Sequence, residues 1–153
     1  MAQQRLSYQT LSPEAYRGFI ATKQALDRCS LDRSSLGHCA LDQGLLELVY
    51  LRLSQMNGCA FCLAMHAASL RAAGVDEAKL DCLAGWRVSE RFDGREKAAL
   101  GWAESMADIQ KDQASDEAFA RLQAYFTDAE ISDLSCAVAL MSALNRLAIS
   151  MRQ

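Results

Sequence analysis

The sequence predicts an all-α protein, and three observations carry that reading. Of 153 residues, 26 are Ala and 21 are Leu, whereas Val, Ile and Thr number only 4, 4 and 3. Ala and Leu are the least costly residues to place in a helix, and a sheet would need the β-branched types that are scarce here. Apolar residues also recur at three- and four-residue spacing along most of the chain. The single proline, Pro13, directly follows a serine, where it starts a helix and does not break one. Length and composition together indicate one domain, residues 1–153, with enough apolar material to bury a core.

The elements follow in order. Ser12 is a natural N-cap, with Pro13 at the first helical position and Glu14 in the first turn, and this helix is expected to run to about Asp27. Residues 28–42 carry Ser30, Ser34, Ser35 and Gly37 between leucines and read as a connector with at most a short helical turn. Leu41 to Met56 is helical again, stopped by the turn dipeptide Asn57-Gly58. The next helix runs from about Cys59 to Ala73 and ends at Gly74. Asp76 caps a short helix holding Leu80, Leu83 and Ala84, and Asp93 caps one in which Ala98, Ala99, Trp102, Ala103 and Met106 recur at helical spacing. Ser115 begins another, with Phe119, Leu122 and Phe126 on one side. The last helix starts at Thr127 or Asp128, with Glu130 placed for a capping box, and reaches about Met151. Between Leu134 and Ile149 it is apolar almost all round, so either it lies at the centre of the domain or a second copy covers it. The total is about seven helices, with no internal repeat and no linker.

Several function classes are disfavoured. A net charge of -3 gives no basic footprint for a nucleic-acid backbone. The longest uncharged stretch, Leu53 to Leu70, contains Ser54, Gln55, Asn57, Gly58 and His66 and is too polar to span a membrane. The first five residues lack the apolar run of a secretory signal, so a cytoplasmic location is expected.

In that compartment thiols are kept reduced, and a close cysteine pair points to redox or metal chemistry. Cys29, Cys39, Cys82 and Cys136 are scattered and read as small hydrophobes, whereas Cys59-Ala60-Phe61-Cys62 is a CxxC pair. With Asn57-Gly58 ending one helix, Cys59 falls near the N-cap of the next and Cys62 near its third position. There the unpaired N–H groups and the helix dipole favour a thiolate, and such thiols have pKa values lowered to ~3.5–7.5. His66, one of only two histidines, lies one turn beyond Cys62, where an imidazole can accept the thiol proton and return it to a leaving oxygen. Glu47 precedes Cys59 by twelve residues. If the two helices fold back at Asn57-Gly58, its carboxylate reaches His66 and orients it. Blander alternatives stand beside each reading: half a zinc site for the cysteines and His66, a structural histidine, a solvated glutamate. His38 has no supporting pattern, and Trp86, Trp102 and Tyr50 read as core or interface.

At Glu47, Cys59, Cys62 and His66 the chain resembles the alkylhydroperoxidase D-like proteins of the carboxymuconolactone decarboxylase superfamily, whose pattern is Glu, eleven residues, then Cys-x-x-Cys-x-x-x-His. The flanks are similar as well: Leu51 to Gly58, Arg71 to Gly74, Arg95 to Leu100, and Asn145-Arg146. The likeness covers roughly residues 41–149, with the redox core at 47–66. The resemblance implies a single-domain helical bundle that assembles as a homo-oligomer, a dimer, trimer or hexamer. It implies reduction of alkyl or hydrogen peroxide through the cysteine pair, with no metal, haem or other cofactor. Cys62 would attack the peroxide, Cys59 would resolve the sulfenic acid into a disulfide, and an external dithiol or disulfide reductase would supply electrons. Some family members carry a further relay histidine between the cysteines, where this chain has Phe61. Decarboxylase members lack the cysteine pair, so that reaction is disfavoured. The rival from another class is a redox sensor or partner-binding module that uses the same disulfide as a switch.

Overall fold

The computed structural model describes residues 3–31 and 41–153. Among the described residues there are nine α-helices and no strand. The count exceeds the expected seven because α1 (Tyr8–Leu11) and α7 (Ile109–Asp112) are single turns of four residues. A single turn leaves no recurring apolar positions to read in a sequence. α2 (Pro13–Leu31) begins at Pro13 as expected but continues beyond Asp27. Nothing in the next four residues stops it, and Arg28 in its last turn favours the negative end of the helix dipole. His38, Cys39 and the side chain of Cys29 lie outside the described residues.

α3 (Gln43–Asn57) starts where the Asp42 carboxylate accepts from the Leu45 N–H at 3.1 Å. It stops at Gly58, whose φ of 69° lies in the left-handed region that favours glycine. α4 (Ala60–Ala72) follows at once and ends before Gly74, φ 80°. The single short helix expected after Asp76 is two pieces, α5 (Glu77–Asp81) and a 3-10 turn at Leu83–Gly85. The break at Cys82 turns both Leu80 and Leu83 into the core. α6 (Gly94–Ala107) opens on a capping box of Asp93 and Glu96. α8 (Asp116–Gln123) is capped by Ser115, and α9 (Asp128–Met151) opens on the capping box of Thr127 and Glu130.

The central helix is α3, not the last one. It packs chiefly against α4 and α9 and also against α6, and it is buried round most of its circumference. α9 is long and apolar enough to cross a membrane by length and composition, but it lies along α3 and α6 with Ile131, Leu134, Ala137, Val138, Leu140 and Met141 buried. Its other side, with Cys136, Ala139 and Arg146, is exposed. Trp86, Trp102 and Tyr50 are buried, as expected of core residues. A polar tie fixes α3 against α6. Arg52 Nε donates to Glu104 Oε1 at 2.6 Å, and Trp86 Nε1 donates to the same oxygen at 2.8 Å. Burial alone would raise the pKa of Glu104, but the donors Trp86, Arg52 and Arg87 outweigh it and hold the carboxyl below its ordinary range.

Candidate active site

The site is built at the reversal between α3 and α4. Gly58 takes the left-handed conformation and turns the chain, so Cys59 becomes the N-cap of α4 and Cys62 its third residue. The Cys59 N–H is satisfied by the Ser54 carbonyl at 3.1 Å. Both cysteines are buried free thiols, and their sulfurs stand 2.7 Å apart. Ala148 of α9 packs against the pair.

Cys62, His66 and Leu70 form the buried stripe of α4, at four-residue intervals. His66 is 1% exposed, and its Nδ1 lies 2.7 Å from Oε2 of Glu47, itself buried in α3. A carboxylate only accepts, so Nδ1 is the donor in this pair. Nε2 is buried and has no hydrogen-bond partner among the described residues. Tyr50 packs its ring 5.3 Å from the imidazole. The structure therefore brings together the four residues named from spacing: a bonded Glu47–His66 pair one helical turn from a close dithiol.

Electrostatics at the thiol run opposite to the expectation from the helix terminus. The pKa of Cys62 is pushed up to about 12, first by burial and then by the hydrogen bond and charge of Cys59. Donation from Asn145 and from the backbone N–H pulls it back only in part. Burial therefore outweighs the helix end, and the thiol needs a proton acceptor to react near neutral pH.

Asn145 is a residue that sequence reasoning named only as part of a similar flank. It is fully buried on α9, donates to Ser54 Oγ at 3.3 Å, accepts from Asn57 Nδ2 at 3.0 Å, and hydrogen-bonds Cys62. It links the end of α3, the cysteine pair and α9. Its neighbour Arg146 is exposed and donates to the Ser142 carbonyl one turn back, away from the site carboxylate. Among the described residues no group of three or more His, Cys, Asp or Glu is placed to hold a metal ion.

A cavity of about 180 Å³ opens beside Cys62. Its wall is mainly apolar, with Ile20, Phe61, Met65, Met141 and Leu144, and is joined by Tyr8 from the N-terminal segment. A larger open groove of about 640 Å³ lies between α6 and α8, but it contains none of the four residues and no other cysteine or histidine. Chemistry places the site at the smaller one.

Comparison with known proteins identifies the family and the fold. Residues 13–105, more than half of the chain, match the carboxymuconolactone decarboxylase family. The chain is 30% identical over 148 residues to the uncharacterized protein YdfG of Bacillus subtilis (strain 168), covering 97% of this chain and 94% of that one. It superposes with a TM-score of 0.86 and 31% identity on a protein of unknown function from Agrobacterium tumefaciens, described as a candidate antioxidant defence protein AhpD, over 99% of this chain and 97% of that one. An uncharacterized peroxidase-related protein from Silicibacter sp. shares the fold at TM-score 0.72 and 24% identity, over 92% of this chain and 69% of that one. The chain belongs to the carboxymuconolactone decarboxylase family, as an alkylhydroperoxidase D-like member.

Proposed function

We propose that the protein is a thiol-dependent peroxidase that reduces alkyl or hydrogen peroxide through a Cys59–Cys62 dithiol–disulfide cycle. The observation that carries this reading is the pairing of two thiols 2.7 Å apart with a buried His66–Glu47 couple one turn away. In the first step the Cys62 proton passes through water to His66 Nε2, and the thiolate attacks the terminal oxygen of the hydroperoxide. The S–O bond forms, the O–O bond breaks, and the alkoxide takes a proton on the solvent side and leaves as an alcohol, that proton being replaced by the one the Cys59 thiol loses before the second step. In the second step Cys59 displaces the sulfenic oxygen, which takes the proton from His66 and leaves as water. Two thiols and one hydroperoxide thus give one disulfide, one alcohol and one water. Glu47 holds the imidazole in the tautomer this relay needs. An external dithiol or disulfide reductase then returns the pair to thiols, which suits a reducing compartment such as the cytoplasm.

Support comes from the family and from the naming of its neighbours as peroxidase-related or antioxidant proteins. The test is consumption of tert-butyl and hydrogen peroxide by the reduced protein with several dithiols in parallel, followed by peptide mapping. Catalytic turnover with a new Cys59–Cys62 bridge is the expected result. A bridge through Cys29, Cys39, Cys82 or Cys136 would sink the assignment. The raised pKa of Cys62 favours one second reading, a dithiol switch oxidised slowly and once. Stoichiometric oxidation without turnover would select it.

A further inference from the structure

Reduction of an organic hydroperoxide needs protons at two places: one removed from the attacking thiol, another delivered to the departing alkoxide. His66 serves the first. It is buried and does not line the cavity beside Cys62, so it does not face the space where the organic half of the peroxide would sit. That cavity, at about 180 Å³, is comparable to apolar cavities of about 150 Å³ that take benzene, so it has room for a compact alkyl or single-ring group.

The polar side chains on its wall are Cys62, Tyr8, Tyr16, Lys23 and Gln153. Lys23 is held in an ion pair with Asp27 at 2.8 Å, which balances its charge. Tyr8 is the group built into place. Its segment is tied to the end of α9 by the Arg5 N–H on the Met151 carbonyl at 2.9 Å and by Arg5 Nη1 on the Ser150 carbonyl at 3.2 Å. The Tyr8 ring packs edge-on against Tyr16, with centroids 5.7 Å apart, and its hydroxyl bonds Gln153 Oε1.

We propose that Tyr8 is a catalytic residue of the peroxidase cycle, its hydroxyl donating the proton to the alkoxide that leaves when Cys62 attacks the O–O bond. The inference rests on the peroxidase reading given above. As the S–O bond forms, sulfur gives up two electrons, the O–O bond breaks, and the alkoxide takes the Tyr8 proton to become the alcohol. The phenolate recovers a proton through water from the Cys59 thiol as the disulfide closes, while the proton on His66 goes to the departing hydroxide. Burial, then the charges of Tyr16, Cys62 and Cys59, raise the pKa of Tyr8, so the phenol is protonated and able to donate at neutral pH.

The experiment follows oxidation of the reduced full-length protein by stopped flow, comparing tert-butyl hydroperoxide with peroxyacetic acid. Acetate is a good leaving group and needs no proton, whereas tert-butoxide does. Tyr8→Phe keeps the ring and its packing while removing the hydroxyl. It should slow reaction with tert-butyl hydroperoxide at least about tenfold and leave peroxyacetic acid near the wild-type rate. Alkylation of Cys62 by iodoacetamide should match wild type, and Gln153→Ala, which frees the hydroxyl from its anchor, should show a smaller defect of the same leaving-group pattern. Equal losses with both oxidants, a slowed alkylation, or no loss with either would overturn the role of Tyr8. If the wild-type protein is alkylated normally but oxidised by neither peroxide, the peroxidase reading itself fails and this inference with it.

Discussion

At the level of single residues, the two cysteines should separate cleanly on mutation. Cys62→Ser removes the attacking sulfur, so peroxide should be neither consumed nor able to form a bridge. Cys59→Ser should still allow the first oxidation, leaving a sulfenic acid on Cys62 that persists or over-oxidises, detectable as added oxygen by mass spectrometry. Exchanged phenotypes would reverse the roles. His66→Ala should still form the bridge, at least tenfold more slowly near neutral pH, because general acid–base help is typically worth about 10²–10⁴-fold. The pH dependence of that variant follows from Cys62. With its pKa pushed up to about 12, the thiolate fraction rises with pH across the whole accessible range. The His66→Ala rate should therefore climb about tenfold per pH unit between neutral and mildly alkaline solution, and the deficit against wild type should narrow. A wild-type rate for His66→Ala at every pH would make His66 structural. Glu47, Cys59, Cys62 and His66 were legible because their spacing lies within two adjacent helices. Asn145 and Tyr8 were not: Asn145 meets Asn57 across 88 residues, and Tyr8 meets Gln153 across 145. The direction of the Cys62 shift was illegible for the same reason, since the burial that decides it comes partly from α9.

Among the elements, boundaries written in local chemistry were readable. Asp93 and Thr127 each have glutamate three residues on, and both form capping boxes. What local chemistry does not encode was missed: two one-turn helices, the break at Cys82, and the extension of α2 to Leu31. The choice of central helix was also illegible, because α3 and α9 are both rich in apolar residues and only their packing shows that α3 is the enclosed one. The element with most effect on the site is the α3–α4 reversal at Gly58. A Cβ built there meets nothing within 4 Å, so the cost of Gly58→Ala is the backbone conformation alone, φ 69°. That cost is roughly 1–2 kcal/mol, and an urea-unfolding midpoint should report it. If the chain relieves the strain by shifting the turn, the Cys59–Cys62 geometry shifts with it, and bridge formation should slow by more than the stability loss explains. Unchanged stability would show that the turn adopts another conformation at no cost.

For the whole molecule, the outer side of α9 is the unresolved matter of burial. α9 covers the core with one side, while Ser132, Cys136 and Ala139, at three- to four-residue spacing, and Arg146 two turns further on lie exposed along the other. Small side chains on such a face allow another helix to approach closely, and Ile149 beyond them is 42% exposed. The apolar character of this helix therefore exceeds what its own domain covers, and we propose a second copy of the chain as the occupant, in a homo-oligomer. A stable interface buries at least about 1,000 Å² in total, an area that a 24-residue helix and its neighbours can supply. Light scattering after gel filtration should give a multiple of 16.8 kDa at micromolar concentration. Ala139→Arg should shift that mass toward the monomer, because the substitution places a charge on the exposed side and disturbs no buried residue. Peroxide-induced bridging of Cys59 and Cys62 should survive in the variant, since the four site residues come from one chain. A stable wild-type monomer would remove the oligomer and leave the outer side of α9 as ordinary protein surface.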